Sequence, residues 1–411
     1  MKVNGIIAEY NPFHNGHKYH MEDAKKRTGA DYTIVVMSGN FVQRGAPALV
    51  DKFKRARMAL SCGADLVLEL PICFSVSSAE YFATGAVALL DKLGVVDHLC
   101  FGSESGELTP LQKIAHILAN EPVEYTEMLR TNLRMGYSYP NARTTALIQY
   151  DSSISMEKDT LSSPNNILGI EYLKALERRK SAILPDTTLR MGSDYRDKRL
   201  GENPCSALAL RQAILAGQDV GFLKEEIPEN AYLILADSLK DSEPVSIDDF
   251  SAQLHYKLLL ERSKGYCDYL DVSPELSVRI QNSLENFRSY LDFCDRLKSK
   301  DMTYVRISRC LLHILLNLDR TTIDTIKTMD YAPYARVLGF RREASPLLAA
   351  IKEKASVPVI TKLADAKKQL THDALSVLEK ELCMNDIYLS VAALKNGKPM
   401  VNEYSTPVEI L

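Results

Sequence analysis

The chain has no tryptophan, no C-x-x-C pair, no low-complexity stretch and no internal repeat. Its eight cysteines, at positions 62, 73, 100, 205, 267, 294, 310 and 383, are scattered, several inside apolar runs such as Asp97-His98-Leu99-Cys100-Phe101. That distribution argues against a disulfide framework and a zinc site and predicts reduced, buried thiols. No apolar run reaches the roughly 18 to 20 residues of a membrane-spanning helix, and no basic and apolar leader precedes the first apolar run. A cytoplasmic protein without membrane contact is expected. An excess of charge is missing too: 50 Lys and Arg against 53 Asp and Glu leave −3. Any RNA contact must therefore come from local basic patches, and DNA is not an expected partner. No carboxylate pair or Cys/His cluster calls for a bound metal.

What is present is a long chain, 411 residues, with material for two or three domains and a sizeable core. Apolar runs of strand length (3–8, 32–37, 65–70, 98–101) alternate with helical spacing over 17–28, 52–62 and 79–93, the last ending at Gly94 in a C-cap position. The pattern is that of an α/β fold, a Rossmann-like parallel sheet covered by helices. Residues 125–136 and 141–150 read as helices of an insertion around 108–160, opened by Thr109-Pro110. Ser163-Pro164-Asn165-Asn166 then precedes a helix over 167–179, a short strand over 187–190 taken as the sheet's last, and a helix from Ser206 to about 216. From residue 228 helical periods dominate, including 248–262, 274–297 and 302–318, with small strands at 336–340 and 357–361 among them. A sheet domain over 1–225 and a mainly α-helical C-terminal domain over 226–411 are expected.

The residues that speak most directly about chemistry are Asn11-Pro12-Phe13-His14-Asn15-Gly16-His17, between the first strand and the first helix. Two histidines three apart at a helix start can present both imidazoles and free backbone N–H groups to one anion, with the helix dipole adding to the attraction. Gly16 lets a phosphate approach the backbone. Such fixed donors act most where an attacked α-phosphate and a leaving pyrophosphate gather charge. By residue chemistry alone, His14 and His17 can equally be a loop residue and a helix cap. Ligands of open sheets gather beyond the carboxyl ends of the strands, where Ser38-Gly39-Asn40 and Gly102-Ser103-Glu104 also fall.

The segment resembles the HxGH nucleotidyltransferase superfamily. Five blocks resemble one branch of it, the bacterial tRNA(Met) cytidine acetate ligases: Gly5-Ile6-Ile7-Ala8-Glu9-Tyr10 running into the histidine motif, Met37-Ser38-Gly39-Asn40-Phe41-Val42-Gln43-Arg44-Gly45, Phe101-Gly102-Ser103-Glu104, Pro164-Asn165-Asn166-Ile167-Leu168 and Tyr334-Ala335-Arg336-Val337-Leu338-Gly339-Phe340. The resemblance implies an ATP-dependent ligase. Acetate attacks the α-phosphate of ATP to give acetyladenylate and pyrophosphate, and the amine of the wobble cytidine of elongator tRNA(Met) then takes the acetyl group as N(4)-acetylcytidine. ATP is substrate, with Mg2+ to neutralise the leaving pyrophosphate and no tightly bound cofactor.

The resemblance makes His14 and His17 the catalytic pair that polarises the phosphates. It lays ATP on Ile7, Ala8, Glu9, Tyr10, Asn11, Pro12, Phe13, His14, Asn15, Gly16, His17, Lys18, Tyr19 and His20, with Gly102, Asn165 and Arg190 completing the site. Each addition has a structural alternative: Lys18 solvated, Tyr10 and Phe13 as packing, Gly102 as a turn glycine, Asn165 or Asn166 as a helix cap and Arg190 in an ion pair. Ser206-Ala207-Leu208-Ala209-Leu210-Arg211 resembles the superfamily's serine-rich helix start but departs at Ala207 and Leu208, leaving Ser206 and Arg211 for the triphosphate. Asn40, Gln43 and Arg44, with Phe41, occupy a glycine-bounded loop suited to placing acetate, cytidine or anticodon backbone. Asp51, Lys52 and Arg55 at the next helix start are weaker candidates, because first-turn charges are commonly solvated.

For tRNA, Arg288, Arg296, Lys298, Lys300, Arg306 and Arg309 with Tyr290 and Tyr304 form the most basic stretch, His313 continuing the helical face of Arg306 and Arg309, while Asp292, Asp295 and Asp301 dilute it. Arg336, Arg341 and Arg342 form a second patch. Two other classes are weighed: a small-molecule adenylyltransferase using the same site on a phosphorylated cofactor precursor, and an RNA-binding protein with a vestigial or regulatory site, against which the retained His14, Gly16 and His17 argue.

Overall fold

The computed structural model describes residues 1–157, 161, 163–190, 206–300 and 302–411. Cys205 and Asp301 lie outside the described residues. The chain opens with β1 (Val3–Ala8), α1 (Asn15–Thr28), β2 (Tyr32–Ser38), α2 (Lys52–Ser61), β3 (Leu66–Leu70), α3 (Ala79–Lys92) and β4 (His98–Ser103). Helices α4 (Leu108–Asn120), α5 (Val123–Arg134) and α6 (Tyr139–Tyr150) precede α7 (Pro164–Arg179) and β5 (Leu184–Leu189). Strands β3-β2-β1-β4-β5 lie side by side, all parallel, with Gly5 opposite Ile34 on one flank and Leu99 on the other.

Continuous apolar runs suit this arrangement because both faces of the sheet are covered. Along β2 the side chains alternate between two cores: Ile34 and Val36 join the one that contains α3 and α7, whereas Val35 and Met37 join Met21, Ala59, Leu210 and Leu235 on the other. That second face is closed by α1, α2, α8 (Ala207–Leu215) and α9 (Glu229–Asp241).

The strands expected inside the helical region instead complete the sheet. β6 (Ala335–Phe340) pairs antiparallel with β3, and β7 (Val359–Ile360) and β8 (Glu409–Ile410) pair parallel with β6. β5 is therefore the last strand only on its own edge. Nothing local names a strand's partner across some 270 residues, which is why a short run such as Ala335–Phe340 reads as isolated. The long helical period at 274–297 divides into Pro274–Ser283 and Tyr290–Leu297, because Phe287 is extended and Ser289 caps the second helix through Asp292 N–H. The 302–318 period becomes α10 (Tyr304–Leu315), and the long α11 (His372–Lys395) follows. The cysteines at 73, 100, 294 and 310 are buried thiols, but Cys267 and Cys383 are exposed, correcting the expectation of uniform burial. Among the described residues no helix is long and apolar enough to cross a membrane.

A buried ionic ring joins the returning chain to the sheet. Lys52, expected to be solvated, is fully buried, its Nζ 2.7 and 2.9 Å from the carboxylate oxygens of Glu69 and 2.6 Å from Glu403 Oε1. Arg336, expected in an RNA-facing patch, is buried as well, with Nη1 3.1 Å from both Glu69 Oε2 and Glu403 Oε2. Glu69 and Arg336 are direct partners in the β3–β6 register. Beside them Glu381 accepts Ile72 N–H at 2.9 Å and the Tyr334 hydroxyl, and burial, followed by the charge of Glu69, pushes its carboxyl up to about 7.

Removing one member of such a ring strands a buried charge. Arg336→Met is expected to lower the unfolding free energy in urea by about 3–5 kcal/mol, whereas Arg342→Met, on an exposed turn, should stay within about 0.5 kcal/mol. Equal effects would show that the ring contributes nothing particular.

Candidate active site

β1 delivers the chain to a tight turn in which Tyr10 takes φ of 48°, and the buried rings of Tyr10 and Phe13 pack 4.7 Å apart beneath it. His14 then N-caps α1. Gly16 N–H donates to His14 Nδ1 at 3.1 Å, and His14 N–H donates to His17 Nδ1 at 3.2 Å, a capping box made from two imidazoles. The rings stack with centroids 3.7 Å apart. Each Nδ1 is an acceptor, so the proton of each neutral ring resides on Nε2. Burial, reinforced by Arg190 and Arg211, lowers the His14 pKa to about 3. Burial, then His14 and Arg190, holds His17 well below its usual value. His20, one turn on, is lowered to about 4 by burial and Arg190. At neutral pH the motif therefore offers uncharged N–H donors flanked by guanidinium groups.

These residues line a cleft of about 200 Å3 at the carboxyl ends of β1, β4 and β5. Of the expected ATP floor, Ile7, Ala8, Glu9, Tyr10, Asn11, His14, Gly16, His17, Tyr19 and His20 face it, joined by Gly102, Asn165, Arg190 and Gln43. Pro12, Phe13, Asn15 and Lys18 do not. Phe13 is core, Asn15 anchors its side chain to Glu225 O at 2.7 Å, and Lys18 is half exposed, 3.8 Å from Glu22. Opposite the histidines, Ser206 N-caps α8 through Ala209 N–H at 3.2 Å, and Arg211 donates to Asn11 O at 2.7 Å, so both residues of the weakened serine-rich motif reach the cleft.

Around β4 the structural and functional readings of the asparagines separate. Glu104 accepts the backbone N–H groups of Asn165 and Asn166 at 3.1 and 2.8 Å, while Asn166 Oδ1 accepts Glu104 N–H at 2.9 Å and is buried. Asn166 is thus structural, inside the first turn of α7 and not its N-cap, which is Ser163. Asn165 faces the cleft and accepts Arg190 Nη1 at 3.0 Å.

The loop after β2 is held from below. Arg55, expected at a solvated helix start, is fully buried and donates to Glu9 O at 2.7 Å, Ser38 O at 3.0 Å, Val50 O at 3.2 Å and Gly39 O. Asp51 N-caps α2. Asn40 is buried, accepting Lys52 N–H at 2.9 Å and donating to Asn385 at 3.2 Å, and neither it nor Arg44 lines the cleft. Gln43 does, its N–H donating to Glu9 Oε1 at 2.9 Å.

Phe82, Phe101, Leu168 and Tyr172 supply an apolar wall. Phe101 and Leu168 lie within the blocks that carry the resemblance, but Phe82 and Tyr172 show only core periodicity and were not legible. Gly169 makes room here, since a Cβ would sit 2.4 Å from the Phe101 ring.

The proposed RNA stripe is partly dismantled by the fold. His313 is fully buried, its ring nitrogens 2.8 and 2.9 Å from Leu270 O and Val76 O, and Tyr290 is buried with its hydroxyl on Ser308 O at 2.7 Å. Arg309 is half-buried. Arg288, Arg296, Lys298, Lys300 and Arg306 remain exposed, and Arg296 and Lys298 pair with Asp292 and Asp295.

The depressed histidines set a pH dependence. Their folded pKa values lie below the unfolded value of 6.5, so the unfolded chain binds protons first and stability present above pH 6.5 is lost as pH falls. Calorimetry should show Tm declining more steeply from about pH 7 to 5 in the wild type than in His14→Gln/His17→Gln; parallel curves would contradict the neutral, buried state.

Against known proteins, a family model for the HIGH nucleotidyl transferases matches residues 1–402. The tRNA(Met) cytidine acetate ligase of Acetivibrio thermocellus is 40% identical over 393 residues, spanning 95% of each chain. That of Thermoanaerobacter sp. is 43% identical over 398 residues, 97% of this chain and 96% of its own. The crystal structure of apo Thermotoga maritima TmcAL superposes with a TM-score of 0.94 at 33% identity, and the form bound with alpha-thio ATP with 0.92 at 32%, each covering all of both chains. A cleft built from a double-histidine cap at the head of a parallel sheet, and likeness along the whole chain, lead to one assignment: this chain belongs to the HIGH nucleotidyl transferase family and, within it, to the tRNA(Met) cytidine acetate ligases.

Proposed function

We propose that this chain uses ATP to activate acetate as acetyladenylate, with release of pyrophosphate, and transfers the acetyl group to the wobble cytidine of elongator tRNA(Met). The observation that carries the reading is the convergence of His14 Nε2–H, His17 Nε2–H, Arg190, Arg211 and the start of α8 on one cleft. Donors fixed before the reaction stabilise charge as it develops, on the α-phosphate and on the departing pyrophosphate. Neutral imidazoles and guanidiniums divide that work: the former direct hydrogen bonds, the latter supply counter-charge. Gly102 and Asn165 border the same cleft and are assigned to the nucleoside end. Magnesium accompanying ATP would neutralise charge on the leaving pyrophosphate.

Residues 1–225, which carry the parallel strands around the cleft, are assigned to ATP and residues 226–411 to tRNA, the exposed cations Arg288, Lys300 and Arg306 being its first contacts. Free thiols fit a cytoplasmic setting.

Pyrophosphate release from ATP should require acetate and no RNA, and His14→Ala/His17→Ala should reduce it at least 100-fold, as loss of one transition-state donor alone costs about 10²–10³. Supplying tRNA(Met) should then yield N-acetylcytidine by mass spectrometry. Release that follows a phosphomonoester instead of acetate would select an adenylyltransferase, and ATP bound without cleavage an RNA-binding protein.

A further inference from the structure

Among the described residues, the imidazole and guanidinium groups of the cleft act as donors. His14 and His17 have committed their Nδ1 atoms to backbone N–H groups, so each presents only an N–H, and Arg190 and Arg211 can only donate. Among the described residues that line the cleft, the one carboxylate is Glu9. Binding an anionic triphosphate does not call for a carboxylate, which repels phosphate. Acylating an amine does, because the nitrogen must lose a proton as it gains the acyl group.

Glu9 is held for such a task. Its backbone carbonyl is fixed by the buried Arg55 at 2.7 Å and its Oε1 accepts Gln43 N–H at 2.9 Å, while Oε2 has no partner among the described residues. Burial, and after it the charge of Glu9, raises the pKa of the Tyr172 hydroxyl in the apolar wall. The loop that carries Gln43 rests on α10: Ser308 Oγ donates to Gly45 O at 2.8 Å, and a Cβ on Gly45 would come within 2.5 Å of the Arg309 backbone nitrogen. Two residues before Ser308, Arg306 is exposed. The loop that brings Gln43 to Glu9 is thus seated on the helix that carries this exposed cation.

We propose that Glu9 is the base of the acetyl-transfer step, an inference that rests on the acetate-ligase reading. The exocyclic amine of the cytidine attacks the acetyl carbonyl carbon and the N–C bond forms. The bond from that carbon to the phosphate oxygen breaks, AMP departs with the electron pair, and the amine proton passes to Glu9 Oε2. Water takes the proton from Glu9 before the next turnover.

The two half-reactions separate the outcomes. Glu9→Gln keeps an oxygen for Gln43 N–H but cannot take a proton. The measurement is single-turnover acetyl transfer from enzyme-bound acetyladenylate to tRNA(Met), divided by acetate-dependent ATP–pyrophosphate exchange without RNA. This ratio should fall about 10²–10⁴-fold, and the rise of transfer rate with pH expected of the wild type should vanish. Glu9→Asp, which keeps a base, should recover at least tenfold of the loss. A Glu9→Gln ratio within about threefold of wild type, or a drop in which residual transfer keeps the wild-type pH profile, overturns the assignment. Wild-type protein that lacks acetate-dependent exchange overturns the ligase reading beneath it, a different failure.

Discussion

Two buried cations, Lys52 and Arg336, shared between two buried carboxylates, Glu69 and Glu403, are the constraint on which the remaining architecture depends. Their positions come from α2, from β3, from β6 and from a turn near the end of the chain. None of the four can be desolvated alone without a cost of several kcal/mol, so the sheet and the returning chain must close together. Closure has a local effect as well. Lys52 N–H holds Asn40, and a Cβ on Gly39 would meet Glu69 Oε1 at 2.4 Å, so the loop that reaches the cleft is built directly upon the ionic ring.

Arg55 extends the same logic toward the chemistry. Its guanidinium takes carbonyls from the ends of both β1 and β2, tying the turn that carries Glu9 to the loop after β2. Both segments are thereby held by one buried donor. Pre-organisation here is therefore the work of a residue that never reaches the cleft itself.

Much of this was legible from the sequence, unevenly. The five parallel strands and the helix at the histidine motif follow from apolar runs and a turn signature, local properties that tertiary packing had no reason to override. The cap geometry itself was not, since a histidine accepting a backbone N–H through Nδ1 looks the same in sequence as one exposed in a loop. Lys52, Arg55 and Arg336 were misjudged for a single reason: a charge reads as solvated until its partner is known, and Glu403 is separated from Lys52 by most of the chain. His313 and Tyr290 failed similarly, because helical spacing shows which residues share a face but not whether that face looks outward. Ser206 and Arg211 reached the cleft despite the apolar residues between them.

The ends of the sheet carry a last consequence. β5, the outer strand on one side, contains Pro185, which has no N–H to offer, and beside it Asp186, whose carboxylate is gripped by Arg27 at 2.7 and 2.9 Å. On the other side β8 is two residues long and begins with Glu409, 3.9 Å from Arg57. An eight-stranded sheet with long, flat, apolar borders would be a template for the strand of any neighbouring molecule. Among the described residues this one ends in proline, fixed charge and a strand too short to propagate a ladder, so the same backbone that shapes the nucleotide cleft also discourages edge-to-edge pairing with a neighbour.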